Sequence, residues 1–297
     1  MKSGFVSLIG RPNAGKSTLL NQLIGEKIAI VSDKPQTTRT RILGVRTDAA
    51  GQMVFLDTPG IHRPLHRMNV RMVDQALDAI GTVDVLVLVV DAATPPGGGD
   101  RFLLDRIGGA RAPVILALNK IDLVTKPSLL PLIEWYRTRR PFAAVVPLSA
   151  KTGDGVDLLV AELVAGLPEG EPLYPPDYLT DQPERVLAAE LVREQVLQHT
   201  ADELPFTTGV VLDQFDDQRS RGLLRLFASI YVEQPSQKAI VIGRGGAMIR
   251  RIGSAARAEL ERLFDARVYL ELHVKVRPRW RDDERVLDEM GVSPRRR

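Results

Sequence analysis

The chain has 297 residues, 40 Lys or Arg against 37 Asp or Glu, a net charge of +3 and no cysteine. That length holds two ordinary domains, and the near-balance of charge excludes a polycation. The missing cysteine excludes disulfides, thiol nucleophiles and cysteine-ligated zinc, and fits a cytoplasmic protein.

Phe5–Ile9 is an apolar run of strand length, followed at once by a helical pattern over Lys16–Ile24. Between them stands Gly10-Arg-Pro-Asn-Ala-Gly15-Lys16-Ser17, a G-x-x-x-x-G-K-S loop. The glycines let the backbone wrap so that successive N–H groups face phosphate oxygens, and the helix aims its positive end at the same place. Gly10, Asn13, Ala14, Gly15, Lys16, Ser17 and Thr18 are therefore the expected phosphate cradle. Lys16 supplies charge at the β and γ phosphates, and Ser17 offers a hydroxyl to Mg²⁺.

Arg41–Arg46 reads as an antiparallel edge strand and Met53–Leu56 as a buried strand. The latter ends in Asp57-Thr58-Pro59-Gly60, where Asp57 is placed to hold Mg²⁺ through a water and the Gly60 N–H to sense a γ-phosphate. A helix is predicted over Asn69–Ile80, then a strand at Val85–Val90, which is far too short to cross a bilayer. A helix at Arg101–Ile107 and a strand at Pro113–Leu118 follow. After that strand comes Asn119-Lys120-Ile121-Asp122. A carboxylate at Asp122 can accept from guanine N1–H and N2–H₂, donors that adenine lacks. Asn119 can tie this loop to the phosphate cradle, and the Lys120 stem can cover the ring. A helix at Ser128–Arg139, a strand at Ala144–Leu148 and a helix at Gly155–Gly166 complete the pattern. Ser149-Ala150-Lys151 ends the strand, where a backbone N–H could meet guanine O6. Short apolar strands alternating with helices imply a doubly wound α/β domain with a mostly parallel sheet.

The ordered set GRPNAGKS, Gln36-Thr37-Thr38-Arg39, DTPG, NKID and SAK resembles a translation-factor-type P-loop GTPase. The resemblance implies GTP or GDP with Mg²⁺. It implies two switches, here Lys27–Thr40 and Gly60–Met68, and a loop threonine that completes the metal shell, Thr38 or its neighbour Thr37. Lys16, Thr38 and Gly60 are the expected catalytic contacts. Ras-like proteins carry a water-orienting glutamine after the glycine of the second switch. Here that residue is Ile61, which cannot hydrogen-bond water, so slow hydrolysis is expected. In similar GTPases an asparagine in the phosphate loop brings in K⁺; Asn13 matches it, although a loop-stabilising hydrogen bond is an equal reading. His62 and His66 are read as exposed loop residues.

The proline- and acid-rich stretch Leu167–Asp177 reads as a stiff linker. The organisation expected is a GTPase domain at 1–167, a linker at 168–183 and an RNA-binding domain with a basic tail at 184–297. From Arg244 onward there are 14 basic and 9 acidic residues, an excess that suits an anionic partner or simply a solvated face. A helix (Glu184–His199), strands at Thr207–Phe215, Arg225–Glu233 and Lys238–Ile242, a long helix (Gly246–Phe264) and a strand (Val268–Val276) are predicted. The G-x-x-G loop Gly243-Arg244-Gly245-Gly246 opens the long helix, whose Ile249, Ile252, Ala256, Leu260 and Leu263 share one face. This resembles a type II KH domain, a smaller α+β fold. Gly243, Arg244, Gly245 and Gly246 would meet phosphates, with Ile249, Arg250 and Arg251 nearby. Trp280 is read as a base-stacking ring or a packed anchor.

With Leu270–Val276 and Trp280–Arg285 added, the chain resembles the Era family of bacterial GTPases nearly end to end, departing at Ala14 and His273. What the resemblance implies is a monomeric switch that binds the 3′ end of small-subunit ribosomal RNA and assists assembly of the small ribosomal subunit. It also implies loose contact with the inner membrane. A ribosome-binding structural protein with GTP as a static ligand is the alternative.

Overall fold

The computed structural model describes residues 1–34, 37–60, 67–72, 81–201 and 204–292. The chain divides into two compact units. The first contains Met1–Ala29, Thr38–Pro64 and Asn69–Asp181; the second contains Ile30–Thr37, Leu65–Met68 and Gln182–Arg297.

In the first unit six strands, β1 (Lys2–Gly10), β2 (Ile42–Thr47), β3 (Gly51–Asp57), β4 (Val85–Asp91), β5 (Val114–Asn119) and β6 (Ala144–Pro147), form one sheet in the order β2-β3-β1-β4-β5-β6. Only β2 runs antiparallel to its neighbour. Two apolar layers cover the sheet. One gathers Val6, Leu8, Val87 and Val89 with Leu19 and Leu23 of α1 (Lys16–Ile24) and Leu159 and Leu163 of α4 (Val156–Gly166). The other gathers Ile9, Leu86 and Leu88 with Leu103 and Ile107 of α2 (Gly98–Ile107) and Leu132 and Tyr136 of α3 (Leu129–Arg137). Being covered twice is why these strands are apolar at nearly every position rather than alternately. The carboxyl ends of β1, β3, β5 and β6 lead into the four loops read above as nucleotide contacts, the place where open α/β sheets bind ligands.

The segment read as a linker is docked along much of its length. Glu169 bridges to Lys2 and Thr180 to Gly44. Tyr174 and Tyr178 stack 4.8 Å apart and pack against Leu43, Val45, Val54 and Leu56. The Gln52 side chain accepts from the Leu173 and Tyr174 amides and donates to the Tyr174 carbonyl. The two rings cover apolar surface at the sheet's antiparallel edge.

The second unit has a three-stranded sheet in the order β7-β8-β9 (Gly209–Gln218, Leu223–Val232, Arg267–Val276), antiparallel then parallel. Helices α5 (Glu184–His199) and α8 (Ala247–Phe264) pack on it through Val192, Val196, Ile252, Ala256 and Leu260, all fully or almost fully buried. Between them in the chain are the one-turn α6 (Leu204–Thr207) and α7 (Pro235–Ile242). The strand predicted at Lys238–Ile242 is in fact this helix α7, so the order is strand–strand–helix–loop–helix–strand. A short apolar run cannot by itself tell strand from helix. Pro235 at the helix start, and Gln237 accepting from the Glu233 and Gln234 amides, settle it locally. A short C-terminal helix, α9 (Glu284–Glu289), is capped by Asp283.

Candidate nucleotide site and nucleic-acid interface

In the phosphate loop Asn13 has φ +64° and Gly15 φ +91°. Asparagine tolerates this left-handed region; at Gly15 a Cβ would also fall 2.2 Å from the Asn119 side-chain nitrogen. Gly15 precedes α1, leaving the first-turn amides of the helix pointing into the loop. Lys16 is buried, and its ammonium donates to the Gly10 and Arg11 carbonyls at 3.3 and 3.1 Å. Burial lowers its pKa, with the Asp57 carboxylate opposing. Gly60 approaches so closely that a Cβ would lie 2.8 Å from the Pro12 nitrogen. Asn13 is exposed, Ala14 is buried, and Thr18 is half-buried on α1.

Ser17, Thr38 and Asp57 meet at one point. Ser17 Oγ lies 2.6 Å from Thr38 Oγ1 and donates to Asp57 Oδ2 at 2.7 Å. Thr37 instead donates its hydroxyl to the Lys34 carbonyl, so Thr38 is the threonine beside the serine. Asp57 is fully buried, and its Oδ1 has no side-chain partner among the described residues. One carboxylate and two hydroxyls, with a buried carboxylate oxygen left over, suit a Mg²⁺ ion that keeps waters and takes phosphate oxygens. Burial pushes the Asp57 pKa up to about 6, against the pull of Lys16, Ser17 and Thr38. Protons therefore compete with the metal as pH falls through 6. We expect the Mg²⁺-dependent part of GDP affinity to weaken toward the limit of about tenfold per pH unit below that point. Calorimetry with and without Mg²⁺ between pH 5 and 8 measures it. Asp57→Asn, read as a control for the nucleotide's own protonation, should show little Mg²⁺ effect at any pH.

Asn119 joins three loops. Its amide donates to the Ala14 carbonyl at 2.8 Å, and its Oδ1 accepts from the amides of Lys120 and Ala150 at 2.8 and 2.9 Å. The Ala150 N–H is thus already committed within the protein. Asp122 is exposed, with Oδ1 accepting from the buried Ser149 hydroxyl at 2.6 Å. Lys120 sits at φ +68° with its ammonium 2.7 Å from Asp91 Oδ2. Asp91 was missed in the sequence; its signal was a carboxylate at the carboxyl end of a strand beside the phosphate loop. Lys151 is exposed at the start of the following turn. Behind the phosphate loop Arg11 pairs at 3.0 Å with the buried Asp100, which also accepts from Tyr136 Oη at 2.9 Å. Ile61, His62 and His66, and the predicted Asn69–Ile80 helix beyond residue 72, lie outside the described residues.

In the second unit Gly243, Gly245 and Gly246 all have positive φ, +72°, +59° and +75°. Arg244 and Gly245 are exposed at the loop's tip, between α7 and the start of α8. Arg250 and Arg251 are exposed on the first turns of α8, and the Arg250 guanidinium lies beneath Gly246. Ile249 is half-buried against the core, and Ile252 is wholly core. Trp280 is buried and donates its indole N–H to the Thr207 carbonyl at 2.8 Å. It is the packed anchor, and base stacking by this ring is ruled out.

A parallel sheet with these loops at its carboxyl ends is a P-loop GTPase domain, and the second unit is a KH fold. The comparisons agree. The 50S ribosome-binding GTPase family matches residues 5–120, and the KH domain family matches residues 211–281. GTPase Era of Geobacter metallireducens is 51% identical over 98% of both chains, and that of Ruminiclostridium cellulolyticum 47% over 98% of both. A point variant of Aquifex aeolicus Era bound to GDP and aluminium fluoride is 39% identical, with a TM-score of 0.94 over 99% of this chain and 100% of that one. Era in complex with MgGDPNP and nucleotides 1506–1542 of 16S ribosomal RNA matches with a TM-score of 0.95 at 39% identity, over 99% of each chain. The chain belongs to the Era family of GTPases, and it hydrolyses GTP.

Proposed function

We propose that this GTPase couples a Mg²⁺-GTP site, built from Gly10–Thr18, Thr38, Asp57, Gly60, Asn119–Asp122 and Ser149–Lys151, to binding of the 3′ end of small-subunit ribosomal RNA through the Gly243–Gly246 loop. In this role it assists small-subunit assembly. The observation that carries the nucleotide half is Asn119, which locks the phosphate, base-reading and Ser149–Lys151 loops into one cradle. Lys16 would meet the β and γ phosphates, Ser17 and Thr38 would face Mg²⁺ with Asp57 behind, and Asp122 would accept from guanine. Bound Mg²⁺ would neutralise charge on the phosphates; the chain's own groups hold the nucleotide and order the first switch around it. The RNA half rests on the solved relative that carries 16S RNA and covers both units. The family description that mentions the 50S subunit matches only residues 5–120. Here an exposed Arg244 on a glycine loop adjoins the positive end of α8, with Arg250 and Arg251 next to it. Replacing Arg244 and Arg250 together by alanine should weaken binding of a 16S 3′-end RNA by roughly 10–100-fold, since each phosphate contact contributes a charge-assisted bond. GTP affinity should stay unchanged. Unaltered RNA binding by fluorescence anisotropy would remove this surface from the reading.

Asn13 stands exposed in the phosphate loop, and we extend the proposal to a K⁺ ion held there near the β–γ bridge. Turnover in KCl should exceed that in NaCl severalfold, and equal rates would dispose of the ion. Peripheral contact with the cytoplasmic membrane face and a monomeric state follow from the family resemblance; among the described residues no helix is long and apolar enough to cross a membrane.

A further inference from the structure

Two adjacent charged residues on α5, Arg193 and Glu194, are each only 1% exposed. Both are spent on the backbone of the first switch. The Arg193 guanidinium donates to the Thr37 carbonyl, and Glu194 Oε1 accepts from the Val31 amide at 2.8 Å. Arg193 is oriented by Glu190, three residues earlier, through bonds of 2.7 and 2.5 Å. Ile30, beside Val31, is buried in the same apolar core as Val192 and Val196 of α5. The segment Ile30–Thr37 accordingly belongs to the second unit, while Thr38 belongs to the first.

A buried guanidinium is an expensive way to stabilise a fold. An apolar residue of like volume does as well or better, and here Nη1 has no partner among the described residues. What Arg193 does hold is specific. A peptide plane carries both the carbonyl oxygen of one residue and the Cα of the next. Fixing the Thr37 oxygen therefore fixes the point from which the Thr38 side chain reaches the Ser17 hydroxyl at 2.6 Å and Asp57 Oδ2 at 3.5 Å. Glu194 anchors the other end of the segment.

We propose that Arg193 and Glu194 are positioning residues for GTP hydrolysis. They clamp the first switch at Thr37 and Val31, so that Thr38 is presented to the metal and γ-phosphate. The proposal rests on Thr38 being the switch ligand. GDP lacks the γ-phosphate that the clamped segment serves, so the clamp should favour GTP over GDP. By reciprocity, whatever loosens it lowers that preference.

The test measures affinities for GDPNP and GDP with Mg²⁺, and single-turnover GTP hydrolysis, on the full chain. Arg193→Met keeps the stem and removes the donor. It should weaken GDPNP about tenfold while leaving GDP within twofold, the worth of one charge-assisted hydrogen bond, and slow hydrolysis in step. Glu190→Gln, on a partly exposed side chain, should move the same ratio in the same direction by less. Glu194→Leu should lose it, and Glu194→Gln, which keeps an acceptor oxygen, should restore most of the loss. A merely structural role would lower both affinities together and would not separate Gln from Leu. Should Arg193→Met fail to fold, the Glu190 and Glu194 variants decide. A wild-type GDPNP-to-GDP ratio retained in the folded variants overturns the clamp. A wild type that does not distinguish the two nucleotides at all overturns instead the reading of the switch.

Discussion

Asp122→Asn should turn the chain from GTP toward xanthosine triphosphate, with GTP affinity falling by roughly 10²–10⁴. The carboxylate is exposed at the end of β5, and one oxygen is already steadied by Ser149. Guanine offers it two donors, N1–H and N2–H₂. Bonds to a charged group contribute about 1.5–3 kcal/mol each, and two of them give that range. The amide supplies one donor and one acceptor. It opposes a donor on guanine but matches xanthine, which has a carbonyl in place of the amino group. Competition of GTP and XTP for a fluorescent nucleotide reads the result. A variant that still prefers GTP by the wild-type margin would mean that Asp122 does not face the base.

Thr38→Ala should slow single-turnover hydrolysis by roughly 10²–10³, the usual cost of removing one preorganised contact from a charged transition state. GDP affinity should hold within about twofold, because the Thr38 hydroxyl is needed only when a γ-phosphate is present. The same change at Thr37 should have a much smaller effect, since its hydroxyl is bound to Lys34. If Thr37→Ala were the more damaging, the assignment between the two would be reversed.

The nucleotide loops were legible because their spacing is dictated by the ligand. A glycine is needed where a Cβ would strike Asn119, a lysine one step on, and an aspartate where guanine shows two donors. The strands were legible because burial on both faces leaves little choice of residue at Val85–Val90 or Val114–Leu118. Helix α7 was misread because Lys238–Ile242 is short, and five apolar-rich residues fit either period. The docking of Tyr174 and Tyr178 was hidden because proline and acid suggest a free spacer, whereas the rings find apolar surface on β2 and β3. Arg193 and Glu194 look like ordinary solvated positions in a helix, and only tertiary contact reveals that they are buried. Asp91 and Lys120 were separate features in the sequence that the sheet brings within 2.7 Å.

The central claim is that the third phosphate governs the grip on RNA. Its most direct measurement is the affinity of the full chain for a labelled 16S 3′-end oligonucleotide, saturated in turn with Mg²⁺-GDPNP and Mg²⁺-GDP at one fixed salt concentration. The account predicts binding at least fivefold tighter with GDPNP, a coupling of about 1 kcal/mol. Equal affinities in the two states would contradict it.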